Sequence, residues 1–312
     1  MRTLVVLPKL PEDCIARIRA AAKGWTVVCG DEESALARAE IVCGYGPKVE
    51  AALRPGTSLK WIQVWGAGVD KLPLAAIGRL GIVLTTASGV HPYPVSETAF
   101  AMMLSFTRKL YLSVREQERG RWTDAGTLTE LHGKTIGILG AGTIGAEIAR
   151  LAKAFGMTTL GIRRTGAPAP GFDRMYSAEG LPIVLRESDF IVNVVPLTKE
   201  TRHMISHEQF ALMKKTAFYV NVGRGATTDT EALVAALREG RIAGAGLDVF
   251  EEEPLPPDHP LWRMEHVMIT PHNGGVTDRY HERATDIFLS NLDAYLRTGM
   301  PDANIVRMDR QY

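Results

Sequence analysis

The stretch Lys134-Thr-Ile-Gly-Ile-Leu-Gly-Ala-Gly-Thr-Ile-Gly145 decides the fold of this chain. Its apolar run Ile136–Leu139 predicts a buried strand, and the alanine-rich residues that follow predict a helix. Between them stand Gly140, Gly142 and Gly145, spaced G-x-G-x-x-G. Such glycines permit a tight turn, the approach of a pyrophosphate to the backbone, and close packing of helix on strand. The spacing alone is weak evidence in a chain with 30 glycines, but between a strand and a helix it predicts a dinucleotide site.

The composition is that of an ordinary globular protein, with 46% hydrophobic and 23% charged residues in a chain of 312. This length predicts about two domains. A formal net charge of +1 argues against a nucleic-acid surface. The three cysteines have no C-x-x-C spacing, no metal-ligand set stands out, and no signal peptide or apolar run of about 18 residues is found. We therefore expect a cytoplasmic protein with reduced thiols, no metal and no membrane segment.

Strand and helix patterns alternate along the chain, which predicts an α/β fold with parallel sheets. His91-Pro-Tyr-Pro94 is a rigid break, and we interpret His91 as an exposed loop histidine without a function. Val95–Glu118 predicts one long helix that opens the second domain, and Thr277–Leu296 predicts a helix that returns to the first. A substrate-binding domain is thus expected at residues 1–94 and 280–312, and a dinucleotide-binding domain at 95–279. The predicted strands are Leu4–Leu7, Thr26–Cys29, Ile41–Cys43, Leu59–Trp65, Ile82–Thr86, Ile136–Leu139, Met157–Ile162, Phe190–Val195, Ala217–Val222, Gly246–Phe250 and Val267–Thr270.

Two helix starts carry the capping-box pattern, in which a Ser or Thr is followed three residues later by Glu or Gln. Ser206 precedes Gln209 in one, and Thr228 precedes Glu231 in the other. We expect Ser206 and Thr228 to cap these helices.

Arg163 and Arg164 stand about 20 residues past the glycines, where NAD-binding folds of this type carry an acidic residue. An acidic residue would repel the 2′-phosphate of NADP, whereas guanidinium groups bind it through paired N–H donors. The sequence therefore favours NADP over NAD. Alternatively, both arginines point into solvent and the protein accepts either cofactor.

A second glycine-rich loop, Gly66-Ala67-Gly68-Val69-Asp70, follows the strand Leu59–Trp65. Open α/β sheets bind ligands at such strand ends, and backbone N–H groups there can form a nest for a carboxylate. The alternative is an ordinary tight turn. Trp65 either lines a pocket or packs in the core, and the core is favoured because Trp61 and Gln63 share its face of the strand.

A cation, a carboxylate and a histidine follow three strands of the second α/β unit: Arg224, Glu253 and His272. Strand ends on one edge of a parallel sheet converge in space. Near a nicotinamide, this set suits hydride transfer between a 2-hydroxy acid and a 2-oxo acid. Arginine can clamp the carboxylate and polarise the carbonyl, histidine can exchange the proton, and glutamate can orient and charge the histidine. Each of the three taken singly would be an ordinary surface group.

Several motifs together resemble the D-isomer-specific 2-hydroxyacid dehydrogenase family. They are Leu139–Gly145, Asn221-Val-Gly-Arg-Gly225, Asp248-Val-Phe-Glu-Glu-Glu-Pro254 and Thr270-Pro-His-Asn-Gly-Gly275, while Gly66–Asp70 resembles the substrate-carboxylate loop of that family. Their order matches over nearly the whole chain. The resemblance implies two Rossmann-like domains, the first built from both chain ends, and a homodimer around the nucleotide domain.

The resemblance also implies roles for individual residues. Arg224 would bind and polarise the substrate, and His272 would be the acid–base group paired with Glu253. Asp248 would lie near the nicotinamide amide. The remaining substrate contacts would be Ala67 and Gly68, and the remaining cofactor contacts Gly140, Gly142, Thr143, Ile144, Gly145, Arg163, Arg164, Val195, Pro196, Thr201, Val222, Gly223 and Gly274.

Several residues differ from the usual pattern of the family, and they indicate which cofactor and substrate class to expect. Many NAD-dependent members carry an acidic residue where Arg163 stands, and a histidine where Val194 stands. Formate dehydrogenases of this superfamily replace the glutamate by glutamine, so Glu253 argues against formate. The chain ends at Tyr312, without the regulatory domain of some phosphoglycerate dehydrogenases. The paired arginines and the short chain most resemble the glyoxylate/hydroxypyruvate reductases.

One competing hypothesis comes from another functional class. The C-terminal-binding-protein corepressors resemble this pattern, including its Arg, Glu and His, but act as dinucleotide-sensing scaffolds. They require a peptide-binding groove, for which this sequence has no sign. We therefore favour the enzyme.

Overall fold

The computed structural model describes residues 2–310, which divide into two compact units. One unit runs to Val90 and resumes at Thr277, and the other is His91–Val276. The sequence analysis placed the divisions a few residues later, at 94/95 and 279/280. The earlier division has a local reason, because the first helix of the second unit already begins at Pro92.

Strands and helices alternate in both units. The strands are β1 (Thr3–Val6), β2 (Thr26–Cys29), β3 (Ala39–Cys43), β4 (Trp61–Gln63), β5 (Val83–Thr85), β6 (Thr135–Leu139), β7 (Thr158–Ile162), β8 (Arg174–Tyr176), β9 (Phe190–Asn193), β10 (Phe218–Asn221), β11 (Gly244–Leu247) and β12 (Val267–Ile269). The α-helices are α1 (Glu12–Ala21), α2 (Glu33–Leu36), α3 (Pro47–Ala51), α4 (Leu74–Arg79), α5 (Pro92–Thr107), α6 (Leu110–Glu118), α7 (Thr143–Ala154), α8 (Leu181–Glu187), α9 (His207–Leu212), α10 (Thr230–Arg238) and α11 (Tyr280–Thr298).

The first unit is built on a five-stranded parallel sheet with the order β2-β1-β3-β4-β5. Helix α11 packs beside α1, so the C-terminal helix completes the N-terminal unit. Its buried face includes Phe288, Leu292 and Tyr295, which join Trp61 of β4 in one apolar cluster. The Trp61 ring stacks on both aromatic rings of that face, at centroid distances of 5.4 Å and 5.3 Å. The predicted return of the tail to the first domain is confirmed.

The second unit contains a seven-stranded parallel sheet with the order β12-β11-β10-β9-β6-β7-β8. Its two faces are covered by separate apolar clusters, as expected for a doubly wound sheet. The strand order reverses between β6 and β9, and such a reversal opens a ligand crevice at the carboxyl ends of the strands. The α/β prediction with parallel sheets is confirmed, although the sequence analysis missed the edge strand β8.

Residues 95–118 do not form the single helix that was predicted. Helix α5 ends at Thr107, and α6 begins only at Leu110. Lys109 between them has a φ of 50°, in the left-handed region, and its Nζ donates to the Ala125 carbonyl at 2.5 Å. The Thr107 carbonyl accepts the N–H of Thr129 instead of a helical N–H. The segment that contains Ala125 and Thr129 thus interrupts the helix. No proline or glycine marks the break in the sequence.

Two local predictions fail at strand ends. Residues 248–250 are not part of β11, because the strand ends at Leu247 and the Asp248 side chain turns into a polar network. Helix α10 is capped by Asp229, whose Oδ1 accepts the Ala232 N–H at 3.1 Å. The Thr228 hydroxyl is instead buried against the hydroxyl of Tyr219, at 2.6 Å.

The other capping box is present, since the Ser206 N–H donates to Oε1 of Gln209 at 3.1 Å.

Among the described helices, none has both the length and the apolar character needed to cross a bilayer. Within residues 2–310, no three His, Cys, Asp or Glu side chains converge in a way that would hold a metal ion.

Candidate active site

The glycine-rich loop has the shape that a dinucleotide requires. It follows β6 and leads into α7, and Gly140 at its start has a φ of 108°. A Cβ on Gly145 would lie 2.1 Å from the Gly140 carbonyl oxygen, so only glycine lets the helix begin there. A Cβ on Gly142 would meet no atom within 4 Å, and no side chain caps the helix. The loop therefore leaves open space beside a helix N-terminus, which suits a pyrophosphate.

Arg163 and Arg164 follow β7 directly, on the strand next to the glycine-rich loop. Arg163 is half-buried, and its backbone N–H donates to the Tyr176 carbonyl at 3.1 Å, which fixes the start of the turn. Arg164 is exposed. No acidic residue directly follows β7, so the residues at this strand end carry positive charge.

The loop after β9 lies on the other side of the strand reversal. Val195 is buried, and Pro196 is exposed. The Thr201 hydroxyl donates to the Pro196 carbonyl at 2.6 Å and makes the loop compact. A hydrogen bond from Thr198, and more weakly the Arg164 charge, lowers the pKa of Glu200. Arg164 therefore lies close enough to this loop to influence the charge of Glu200.

Arg224 follows β10, and backbone contacts on both sides fix it in place. Val222 before it is buried, and a Cβ on Gly223 would lie 3.0 Å from the Val194 Cα. The Arg224 Nη1 donates to the Gly223 carbonyl at 2.9 Å, and its own carbonyl accepts the Thr227 hydroxyl at 2.6 Å. The side chain is only half-buried. A guanidinium is thus held at the carboxyl edge of the sheet with part of its surface available to a ligand.

His272 and Glu253 form the expected pair. The distance from His272 Nδ1 to Glu253 Oε2 is 2.8 Å. The other carboxylate oxygen of Glu253 accepts the Phe250 N–H at 3.0 Å. Since a carboxylate can only accept, Nδ1 carries the proton and Nε2 is the nitrogen left for chemistry. About half of the His272 side chain is exposed, so a substrate can reach it.

Asp248 is buried, 3% exposed, and holds the backbone of the His272 loop. Its Oδ1 accepts the Thr270 hydroxyl at 2.6 Å and the N–H groups of Asn273 and Gly274, both at 3.1 Å. The structure therefore brings the histidine loop, Glu253 and Asp248 together at adjacent strand ends.

Three residues of this region escaped the sequence analysis. His91 is half-buried rather than exposed, and its Nδ1 lies 3.1 Å from the Gly275 carbonyl oxygen. Its interpretation as an exposed loop residue was wrong. His203 Nε2 contacts Glu251 Oε1 at 2.5 Å, and Glu251 Oε2 accepts the Thr230 N–H at 2.9 Å. This pair anchors the acidic loop that contains Glu253. The sequence carried a signal only for His91, because the proline that follows it marks a helix start and so places His91 at the helix N-cap.

In the first unit, Ala67 and Gly68 are exposed in the loop after β4. The Gly66 carbonyl accepts the Ala87 N–H at 2.9 Å, which pins the loop at its start. The Trp65 side chain packs against the apolar clusters of this unit, and its carbonyl accepts the Tyr280 hydroxyl at 2.7 Å. The core contacts expected for Trp65 are present.

Comparison with known proteins decides the family. The sequence profile of the D-isomer specific 2-hydroxyacid dehydrogenase NAD binding domain matches residues 100–274, more than half of the chain. The chain belongs to the D-isomer-specific 2-hydroxyacid dehydrogenase family. A glyoxylate reductase of Thermococcus onnurineus is 39% identical over 259 residues, which cover 80% of this chain and 77% of that protein.

Solved structures of the family agree over the whole chain. A family member from Aeromonas salmonicida superposes with a TM-score of 0.87 at 34% identity, covering 99% of both chains. An NADPH-dependent glyoxylate/hydroxypyruvate reductase from Sinorhizobium meliloti, solved with NADP and sulfate, gives a TM-score of 0.83 at 26% identity and covers 100% of both chains. The protein is therefore an oxidoreductase with a dinucleotide-binding domain, and its family acts on small 2-hydroxy and 2-oxo acids.

The contact between His272 and Glu253 leads to a pH prediction. In Glu253→Gln the ring keeps a hydrogen-bond partner but loses the adjacent negative charge that favours imidazolium. Under the proton-donor role proposed below for His272, loss of that charge should lower the pH above which the reduction rate falls. The measurement is kcat against pH for both proteins. An unchanged pH profile would show that Glu253 does not act on His272 during reduction. Glu252→Gln, in the same loop, is the matched control and should keep the wild-type profile.

Proposed function

We propose that this dehydrogenase reduces a small 2-oxo acid of the glyoxylate/hydroxypyruvate type to the D-2-hydroxy acid, with NADPH as the preferred cofactor. The observation that carries the proposal is the 2.8 Å contact of His272 Nδ1 with Glu253, at the same sheet edge as Arg224. This arrangement offers a proton donor and a carboxylate-binding cation beside the crevice expected for a dinucleotide.

The residues divide the work in the following way. Arg224 would bind the substrate carboxylate and polarise the carbonyl through its N–H donors. His272 would give its Nε2 proton to the carbonyl oxygen as negative charge develops there, and Glu253 would stabilise the imidazolium before the transfer. When bound, NADPH supplies the hydride for the carbonyl carbon. In the oxidative direction, neutral His272 would remove the same proton.

The preference for NADP rests on the residues after β7. Arg163 and Arg164 can form charge-assisted hydrogen bonds to a 2′-phosphate, and no carboxylate stands at that strand end to repel it. The glycine-rich loop, with Thr143 and Ile144 at the start of α7, would receive the pyrophosphate. Val195, Pro196, Thr201, Val222, Gly223, Asp248 and Gly274 would line the remainder of the cofactor site. A family member from Xanthobacter autotrophicus, 29% identical with a TM-score of 0.85, was solved with NADPH.

The substrate class follows from the relatives and from the charge of the site. Several curated relatives at 36–40% identity are glyoxylate reductases. A single clamping arginine with a histidine donor suits an acid with one carboxylate next to the carbonyl. Ala67 and Gly68 are proposed as substrate contacts through their backbone N–H groups, as the family resemblance implies.

Turnover separates this proposal from the corepressor-like scaffold. NADPH oxidation should be measured with glyoxylate and with hydroxypyruvate, beside a fluorescence titration of NADPH binding. Rapid oxidation with either acid supports the reductase. Tight cofactor binding without oxidation would contradict it and support the scaffold.

We further propose that the protein forms a homodimer through its second unit. Four large apolar side chains are exposed along α6 and the segment after it: Leu110 (51%), Val114 (55%), Trp122 (104%) and Leu128 (39%). Large apolar side chains exposed along one segment are candidates for a protein interface. A second copy of the chain is the occupant that the family resemblance implies.

The double substitution Val114→Lys and Trp122→Ser should convert a dimer of about twice 34.1 kDa into a 34.1 kDa monomer. Charge and lost apolar area at the centre of an interface weaken association strongly. Light scattering after gel filtration measures the mass. Trp262→Ser changes an exposed tryptophan outside this region and serves as the control. A wild-type monomer, or a double variant that stays dimeric, would refute the interface.

A further inference from the structure

We propose that His91 is a positioning residue that holds the His272 loop in its working conformation through a hydrogen bond to the Gly275 carbonyl. The role of the loop in catalysis rests on the proposed function, whereas the contact itself does not.

The His91 ring lies directly on the backbone of the loop. Its Nδ1 is 3.1 Å from the Gly275 carbonyl oxygen, and a Cβ on Gly275 would lie only 2.9 Å from that same nitrogen. Any larger residue at position 275 would push the ring away. The glycine therefore permits the contact, and the imidazole covers the loop on this side.

The loop needs such support because its conformation is unfavourable. His272 has a φ of 52°, a left-handed value that is unfavourable for a non-glycine residue and persists only when the surroundings impose it. Its ring is half exposed, so packing alone does not hold it. The backbone on either side must supply the constraint.

Different side chains hold the N–H groups and the carbonyl groups of the loop. Asp248 accepts the N–H groups of Asn273 and Gly274, and so holds the donor side of the loop. The carbonyl side is held from α5 by His91, which lies against Gly275. Thr98 Oγ1 donates its hydrogen to the Pro94 carbonyl at 2.9 Å and only approaches the Gly274 carbonyl, at 3.4 Å. His91 makes the shorter contact with the loop, so it is the main anchor of the carbonyl side.

The start of α5 makes this anchor rigid. His91 is the N-cap residue, and Pro92 follows at the first helical position with its φ fixed by the ring. Thr98 stands two turns along the same face, which explains why both side chains lie near consecutive carbonyls of one loop. His91 thus acts as the clamp on the Gly275 carbonyl, and Thr98 packs beside it.

The environment keeps the His91 ring neutral at ordinary pH. Burial lowers the pKa of His91, the nearby Arg224 charge lowers it further, and the bond to Gly275 offsets part of this effect. A carbonyl oxygen can only accept, so the neutral ring carries its proton on Nδ1. The clamp therefore works without placing a second positive charge next to the arginine that would bind the substrate.

The test compares His91→Leu with His91→Asn. Leucine fills similar space without a donor, whereas the asparagine Nδ2 can donate from about the position of Nδ1. We expect His91→Leu to lower kcat about 10–10²-fold through misplacement of His272, with NADPH affinity unchanged. His91→Asn should recover most of this loss. His207→Leu, at the exposed start of α9, should behave as wild type.

A second readout does not depend on turnover. Amide hydrogen exchange of residues 273–276 should be faster in His91→Leu than in the wild type and should return toward the wild-type rate in His91→Asn. Equal exchange and equal kcat in His91→Leu would overturn the proposal, as would an asparagine variant as impaired as the leucine variant. A wild-type protein without turnover on any 2-oxo acid would refute the proposed function instead, while the exchange data would still decide the clamp.

Discussion

Replacing His272 by alanine is expected to lower kcat for 2-oxo acid reduction by about 10²–10⁴-fold, the usual contribution of a general acid. The contact of Nδ1 with Glu253 orients the ring and leaves Nε2 for the proton transfer proposed above. In the alanine variant a water molecule would have to donate the proton, and water is a weaker acid than imidazolium and is not held in position. Steady-state rates with saturating NADPH and oxo acid measure the loss.

The control for this substitution is His281→Ala, which removes an exposed histidine of α11. Its kcat should match the wild type, and both variants should bind NADPH with wild-type affinity. Turnover of His272→Ala near the wild-type value would remove this residue from the mechanism.

Replacing Arg163 by aspartate is expected to reverse the cofactor preference. The variant would lose the proposed charge-assisted contact to the 2′-phosphate, worth about 1.5–3 kcal/mol, and would gain a carboxylate that repels the phosphate. We expect kcat/KM for NADPH to fall about 10–10²-fold, while kcat/KM for NADH is retained or rises because aspartate can accept from the ribose hydroxyls.

Arg186→Asp makes the same charge change on α8, away from the end of β7, and should leave the ratio of the two cofactors unchanged. Equal ratios in wild type and Arg163→Asp would show that the arginine points into solvent. In that case the protein would be expected to accept either cofactor.

Much of the second unit was predictable because its features are local in sequence. The strand–glycine–helix pattern at 136–145 depends on backbone geometry that only glycine allows, and the structure has the predicted turn there. Buried parallel strands are continuous apolar runs, so most appear in the sequence, with ends that differ by a residue or two. The short edge strand Arg174–Tyr176 has a charged, half-buried pattern and was missed for that reason.

Three other failures share a different physical cause, since each depends on a contact outside the element concerned. The break at Lys109 is imposed by residues 125–129, and nothing in the helix itself signals it. Thr228 is drawn away from the helix end by Tyr219, which leaves the cap to Asp229. His91 was dismissed because its partner, Gly275, lies 184 positions away.

Parallel initial rates can test the claim that the chain is an NADPH-dependent reductase of small 2-oxo acids. Glyoxylate, hydroxypyruvate, pyruvate and phenylpyruvate should each be assayed with NADPH and with NADH. We predict the highest kcat/KM for NADPH with glyoxylate or hydroxypyruvate. Turnover with NADH alone would keep the roles of Arg224, Glu253 and His272 but contradict the cofactor assignment. Tight NADPH binding without turnover of any of the four acids would contradict the claim itself.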